Sequence, residues 1–143
     1  MLTRTHPWTP RWDARCWTRA GNTWPHAQRS YQARQPVDDE QAALLTALLE
    51  LPAVRDFAAR HTTSAPWQIQ MWTDLVRRAE PDFATAPATL LALSAMQAGN
   101  GALANIAVRR ALHADPSDRL AHLLAQAIAG GIDPTTITAL LAG

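Results

Sequence analysis

The chain has 143 residues and a formal net charge of +1, which fits a single domain and excludes a uniformly basic nucleic-acid binder. Hydrophobic residues make up 48% of the chain and charged residues 17%, so it has the means to bury a core. All 13 basic residues are arginine and 29 residues are alanine, a combined bias that GC-rich codons produce.

Several classes of site and location are excluded by what the sequence lacks. Its single cysteine, Cys16, has no partner for an internal disulfide, and no C-x-x-C pair is present. No apolar run reaches the ~18 residues of a membrane span, and the first thirty residues lack the apolar region of a secretory signal. No glycine-rich nucleotide-binding motif occurs, so no cofactor is expected. We therefore expect a cytoplasmic bacterial protein without membrane contact.

Charge divides the chain into two unequal parts. Residues 1–36 carry six arginines against one aspartate, a sum of +5, whereas residues 37–143 carry seven arginines against eleven acids, a sum of −4. The first part also holds four of the six tryptophans and shows no sustained helical or alternating apolar period. We interpret residues 1–36 as an irregular arm, poorly ordered or vestigial, and residues 37–143 as a helical domain.

Seven short helices are predicted after the arm, because caps and prolines recur at regular intervals. The predicted starts lie near Asp38, Pro52, Pro66, Pro87, Ala102, Ser117 and Asp133. Stops are predicted at Gly99-Asn100, Asp115-Pro116 and Gly130-Gly131. Apolar residues at three- and four-residue spacing are expected to face the core, among them Phe57, Ile106, Leu123, Ile137, Leu140 and Leu141. No segment reads as a strand, so the predicted fold class is all-α.

The fourth and fifth predicted helices have the spacing of a tetratricopeptide-like antiparallel hairpin. The spacing is set by Leu91-Ala92, Gly99-Asn100, Ala104, Val108, Ala111 and Asp115-Pro116. Small residues at Ala92, Ala104 and Ala111 permit close approach of the helix axes. Only about one and a half such units are present, fewer than the three that a solenoid generally needs.

An ordered series of short blocks from Asp38 to Pro134 resembles the C-terminal part of an actinobacterial family known as domain of unknown function 4192. The blocks are Val54-Arg55-Asp56, Trp72 with Leu75 and Arg77-Arg78-Ala79, Pro87 to Ala92, Gly99 to Ala104, Arg110 to Pro116, Leu120 to Leu124, and Gly131 to Pro134. The resemblance implies a helical fold and a bacterial cytoplasmic setting, and it implies no activity. The family's usual larger size also implies a truncated or split copy here.

The sequence predicts no catalytic, cofactor-binding or metal-binding residues. Its five histidines form neither an H-x-x-x-H nor an H-E-x-x-H pair. His113 and His122 flank the Asp115-Pro116 turn, which leaves two readings open: a site shared with Asp115 and Asp118, or a histidine that stabilises a helix C-terminus.

Two kinds of partner remain open. The leading hypothesis is protein–protein interaction or assembly, with an unknown protein or a second copy as partner. The alternative is a nucleic-acid-associated accessory factor in which arginines of the arm contact phosphates and tryptophans stack on bases. The candidate interaction residues are Arg11, Trp12, Arg15, Trp17, Arg77, Arg78, Arg109 and Arg110.

Overall fold

The computed structural model describes residues 14–133, 135–137 and 139, with side chains from residue 23 onward. Seven α-helices and one short 3₁₀ helix have both ends among the described residues, residues 135–137 and 139 are also helical, and the described residues contain no strand, which confirms the all-α prediction. The α-helices are α1 (Ala14–Gln32), α2 (Asp39–Leu48), α3 (Pro52–Arg60), α4 (Pro66–Arg78), α5 (Thr85–Gln97), α6 (Gly101–Ala114) and α7 (Arg119–Gly130); the 3₁₀ helix is Pro81–Phe83. None of these helices combines the length and apolar character that crossing a membrane requires.

Most helix ends lie at the caps and prolines that the sequence marks. The Asp38 side chain accepts a hydrogen bond from the backbone N–H of Gln41, and Pro52 and Pro66 are the first residues of α3 and α4. The stop after α5 uses the left-handed backbone of Gly99, whose φ is +75°. These local signals fix the helix boundaries independently of the core.

Two helices begin at positions that differ from the predicted ones. Helix α5 begins at Thr85, two residues before Pro87, because the first turn of a helix tolerates proline. Helix α7 is capped by Asp118 and not by Ser117: the Asp118 carboxylate accepts from the backbone N–H of Ala121. Of the residues expected in the last helix, Ile137 is buried, whereas Leu140 and Leu141 lie outside the described residues.

The predicted irregular arm was wrong for residues 14–32, which form α1. Pro25 lies inside this helix and lacks a backbone N–H, so the sequence reads as a break where the chain continues helically. The C-terminal half of α1 joins the main core through Ala27 and Tyr31, and the Trp24 ring packs on the Trp72 ring of α4 with centroids 5.4 Å apart. The core therefore extends beyond residue 37 into the N-terminal segment.

Helix α5 lies at the centre of the molecule. Every residue from Ala84 to Met96 is buried, and the helix contacts α3, α4, α6, α7 and the 3₁₀ helix. Its hydroxyls are satisfied within the core, since Thr85 donates to the Ala111 carbonyl and Ser94 donates to the Thr63 carbonyl. Because α5 is covered on all sides, it forms the centre of the core on which the neighbouring helices pack.

Three apolar residues that were predicted to face the core are exposed instead. Ile106 on α6 is 62% exposed, Phe57 on α3 is 43% exposed and Leu123 on α7 is 37% exposed. Alanines dominate the buried positions of α6 and α7, which are Ala104, Ala107, Val108, Ala111, Ala121, Leu124 and Ala127. Small residues thus dominate the core side of these two helices, whereas Ile106 and Leu123 lie outside.

Candidate interaction surface on helix α6

Half of the candidate interaction residues lie where the structure describes no side chain. Arg11 and Trp12 fall outside the described residues, and Arg15 and Trp17 lie in α1 without a described side chain. Their role in the predicted nucleic-acid contact stays a prediction.

Arg78 is occupied by contacts within the protein. Its guanidinium donates to the Asp74 carboxylate at 2.7 Å, to the Val37 carbonyl at 2.7 Å and to the Asp39 carboxylate at 3.0 Å. The Tyr31 hydroxyl donates to the same Asp74 carboxylate. Burial, reinforced by the hydrogen bond to Asp74, raises the pKa of Tyr31 to about 12. This network joins α1, α2 and α4 and gives Arg78 an architectural role, whereas its neighbour Arg77 is exposed.

Arg55 also makes an internal ion pair, in this case between α3 and the start of α7. Its two terminal nitrogens each contact one oxygen of Asp118 at 2.7 Å, and one of them also donates to the Thr89 hydroxyl at 2.9 Å. The side chains of Arg55 and Asp118 are only 20% and 9% exposed. Planar two-point pairing of this kind holds both groups in one geometry.

The ionisation of nearby carboxyls follows from this pairing. Burial by itself raises the pKa of Asp118, but the hydrogen bonds from Arg55 and from the Ala121 backbone outweigh it and leave that pKa below its usual value. Burial raises the pKa of Glu50, with further increases from the charges of Asp115 and Asp118 and a partial offset from Arg55. Arg55 is thus a cation that acts to lower the pKa of both acids, and its guanidinium is already paired with Asp118.

No ion pair joins His113 or His122 to Asp115 or Asp118 among the described residues. His113 is exposed, and the His122 Nε2 lies against the carbonyl of Pro116 in the turn between α6 and α7. Within the described part of the chain, no group of three or more histidine, cysteine or acidic residues is arranged to hold a metal ion. The second reading, in which His113 stands at a helix C-terminus, describes its position at the end of α6.

One exposed surface that combines apolar and basic residues is the outer face of α6, which we define as Ala102, Asn105, Ile106, Arg109 and His113. These residues recur at helical spacing and are all exposed, opposite the buried alanines of the same helix. A single exposed aliphatic residue is common on protein surfaces, so Ile106 by itself identifies nothing. Its charged surroundings make the face distinctive.

Positive charge on this face is not compensated from within the helix. Neither α6 nor α7 contains an aspartate or glutamate, and Arg109 and Arg110 have no acidic residue within four positions on either side. Every other arginine between residues 37 and 133 has one. Among the described residues, no ion pair is formed by Arg109 or Arg110. The sequence identified the arginine pair, but it placed Ile106 in the core and so missed the apolar residue beside it.

Residues 3–135 match the model of a protein family described as domain of unknown function (DUF4192). The match covers most of the chain, so the protein belongs to this family. It begins well before Asp38, where the resemblance was expected to start, and so includes most of the N-terminal segment. No curated protein and no solved structure matches the chain.

Proposed function

We propose that this protein is a cytoplasmic helical module for protein–protein interaction or assembly in an actinobacterial cell. The observation that carries the proposal is the outer face of α6, where Ile106 is 62% exposed one helical turn from Arg109. Interfaces are enriched in arginine and in apolar anchors that become buried on binding. On this proposal, Ile106 supplies the anchor and Arg109 and Arg110 supply orientation.

Support for a tetratricopeptide-like character comes from the contact between α5 and α6. The two helices are in contact, and each has a fully buried alanine, Ala92 on α5 and Ala104 on α6. The turn between them uses Gly99 and Asn100, and the Asn100 side chain caps α6 by accepting from the Leu103 backbone N–H. A rigid helix pair of this kind presents the outer face of α6 without requiring a conformational change.

The proposal is tested by capture of binding partners from a lysate of the source organism, followed by binding of each identified partner in purified form. We expect Ile106→Asp to weaken the purified interaction by about tenfold or more, which corresponds to losing one buried anchor. Arg60→Glu is the matched control, because Arg60 is an exposed arginine at the end of a different helix. Light scattering of the free protein tests self-assembly in parallel.

The proposal fails if the wild-type protein stays monomeric and captures no partner. It also fails if Ile106→Asp and Arg60→Glu bind an identified partner as tightly as the wild type does. Circular dichroism of each variant separates a lost interaction from a lost fold.

The nucleic-acid alternative rests on the N-terminal segment, where six arginines and four tryptophans lie within residues 1–36. It predicts binding to single-stranded DNA or RNA that weakens steeply as salt rises, because phosphate contacts release bound counterions. A gel-shift assay at several salt concentrations measures this. Absence of binding at low salt rejects the alternative.

A further inference from the structure

The charge of the outer face of α6 restricts what kind of surface is able to cover it. Arg109 lies on this face, the half-buried Arg110 borders it, and the helix holds no acidic residue. A covering surface that brings no negative charge would remove these cations from water without compensation, which is unfavourable. The occupant must therefore be acidic.

A second copy of the chain that docks through the same face does not meet this requirement. A symmetric contact places the same patch on both sides, so the arginines of one α6 would approach those of the other. Like charges across an interface oppose association. The outer face of α6 therefore lacks the self-complementarity of a twofold dimer.

A nucleic acid would supply negative charge for the arginines, but it would make no favourable contact with the apolar residue of the outer face of α6. Neither α6 nor α7 contains a phenylalanine, tyrosine or tryptophan on which a base could stack. Ile106, the most exposed of the large apolar side chains among the described residues, gains nothing from a phosphate backbone. The combination of an aliphatic anchor with arginines instead fits a protein segment.

Resting on the proposed interaction function, we propose that the outer face of α6 binds an acidic segment of another protein that carries an aliphatic anchor. The aliphatic side chain of that segment packs on Ile106, and a carboxylate placed about one helical turn away pairs with Arg109 or Arg110. Residues three or four apart on a helix lie about 5–6 Å from each other, which sets the spacing between anchor and carboxylate. The guanidinium fork donates two parallel hydrogen bonds to such a carboxylate.

A display selection with a random peptide library tests this inference. The wild-type protein is the target, and Ile106→Asp is used to remove peptides that bind elsewhere. We expect the enriched peptides to carry aspartate or glutamate three or four positions from leucine, isoleucine or valine. A synthetic peptide from this set should lose about tenfold or more in affinity for the double variant Arg109→Glu, Arg110→Glu, and should bind Arg60→Glu normally.

Charge reversal supplies the second arm of the test. Replacing the peptide's acids with arginine should abolish binding to the wild type and restore binding to the double variant. Raising the salt concentration from about 50 to 500 mM should weaken the wild-type complex, because exposed charge pairs are screened.

The possible contrary results differ in whether they reject the acidic partner alone or the proposed interaction surface as well. Enriched peptides that lack acids but still require Ile106 overturn the acidic partner and leave the interaction surface intact. If no peptide distinguishes the wild type from Ile106→Asp, both the inference and the proposed surface fail. Binding of a DNA or RNA oligonucleotide that the double variant loses, or self-association that it abolishes, overturns the acidic segment in favour of that occupant.

Discussion

At the scale of single residues, the contact between Arg55 and Asp118 is a two-point ion pair that links α3 to the start of α7. Asp118 has two roles, since its carboxylate both pairs with Arg55 and caps α7. Losing its charge would leave Arg55 largely buried without a counter-charge, which costs more than the pair contributes when intact.

We expect Asp118→Asn to lower the free energy of unfolding by about 2–3 kcal/mol at neutral pH, because the cap survives and the ion pair does not. Chemical denaturation measures the change. Asp38→Asn is the matched control, since Asp38 also caps a helix but its carboxylate has no ion pair among the described residues. A cost for Asp118→Asn no larger than that of the control would contradict the assigned role.

The same pair predicts a pH dependence. The pKa of Asp118 is lower in the folded protein than in the unfolded chain, so its stabilisation is present above about pH 4, the unfolded value. That stabilisation is lost as the pH falls through the lower, folded pKa. The difference between wild type and Asp118→Asn should therefore shrink in acid, and a constant difference would exclude the linkage.

Tyr31 provides a second residue-scale prediction, at the alkaline end. Its pKa of about 12 lies above the ordinary value of 10.0, so its contribution to stability is complete below pH 10 and is lost as the pH rises through 12. Since Tyr31 is the single tyrosine, the ultraviolet absorbance of phenolate reports it directly. Titration at the ordinary value would show that the hydroxyl is not held by Asp74. Tyr31→Phe should remove the alkaline loss of stability and cost about 1 kcal/mol at neutral pH.

At the scale of helices, the sequence predicted starts and stops better than it predicted faces. Asp38, Pro52, Pro66 and Gly99 act through the backbone of their own neighbourhood, so their effect is readable without knowledge of the core. Which side of a helix is buried depends on its neighbours. In α6, the rule that bulky apolar residues face the core predicted that Ile106 is buried, whereas it is exposed.

The reason for that reversal is the close packing of α6 on α5. Buried alanines allow two helices to approach closely, and a larger residue at the same positions would force them apart. The residues able to bind a partner are then the bulky ones left outside. Which residues remain outside is known only once the two helices are packed together. The sequence therefore predicted Arg109 and Arg110 as candidate interaction residues, but it did not predict that Ile106 is exposed beside them.

We expect Ala104→Leu to lower the free energy of unfolding by about 1–3 kcal/mol, because the extra methylene groups overpack the contact between helices. Ala104 is fully buried, whereas Ala102 on the same helix is exposed, which makes Ala102→Leu the matched control. Thermal unfolding compares the two variants. Equal melting temperatures would mean that this interface is loosely packed.

At the scale of the whole molecule, the arrangement around α5 explains why the fold class was predictable and the N-terminal segment was not. Regular caps and the lack of alternating patterns were enough to indicate an all-α protein. Helix α1 contains Pro25, and tertiary contacts made by Trp24, Ala27 and Tyr31 attach it to the core. These three residues recur at helical spacing, so the signal for this helix was present in the sequence, but the internal proline argued against it.

The same arrangement predicts an order of protection in amide hydrogen exchange. The backbone amides within α5 should exchange most slowly, because releasing them requires the surrounding helices to separate. Amides of α1 should exchange faster, since the main contacts of the described part of this helix are with α2 and α4 and it is not surrounded as α5 is. Mass spectrometry of exchanged peptides measures both. Faster exchange in α5 than in α1 would contradict the central position of α5.

The central position of α5 also has a consequence for synthesis of the chain. Helix α5 leaves the ribosome before α6 and α7, the two helices that cover much of its surface. Until residue 130 has emerged, α5, which is buried on every side in the complete fold, lacks the cover of α6 and α7 and is shielded only in part by α3 and α4. This interval is when chaperone binding or aggregation competes with folding. Codons that slow translation between residues 98 and 130 should therefore lower the yield of folded protein more than the same change before residue 60.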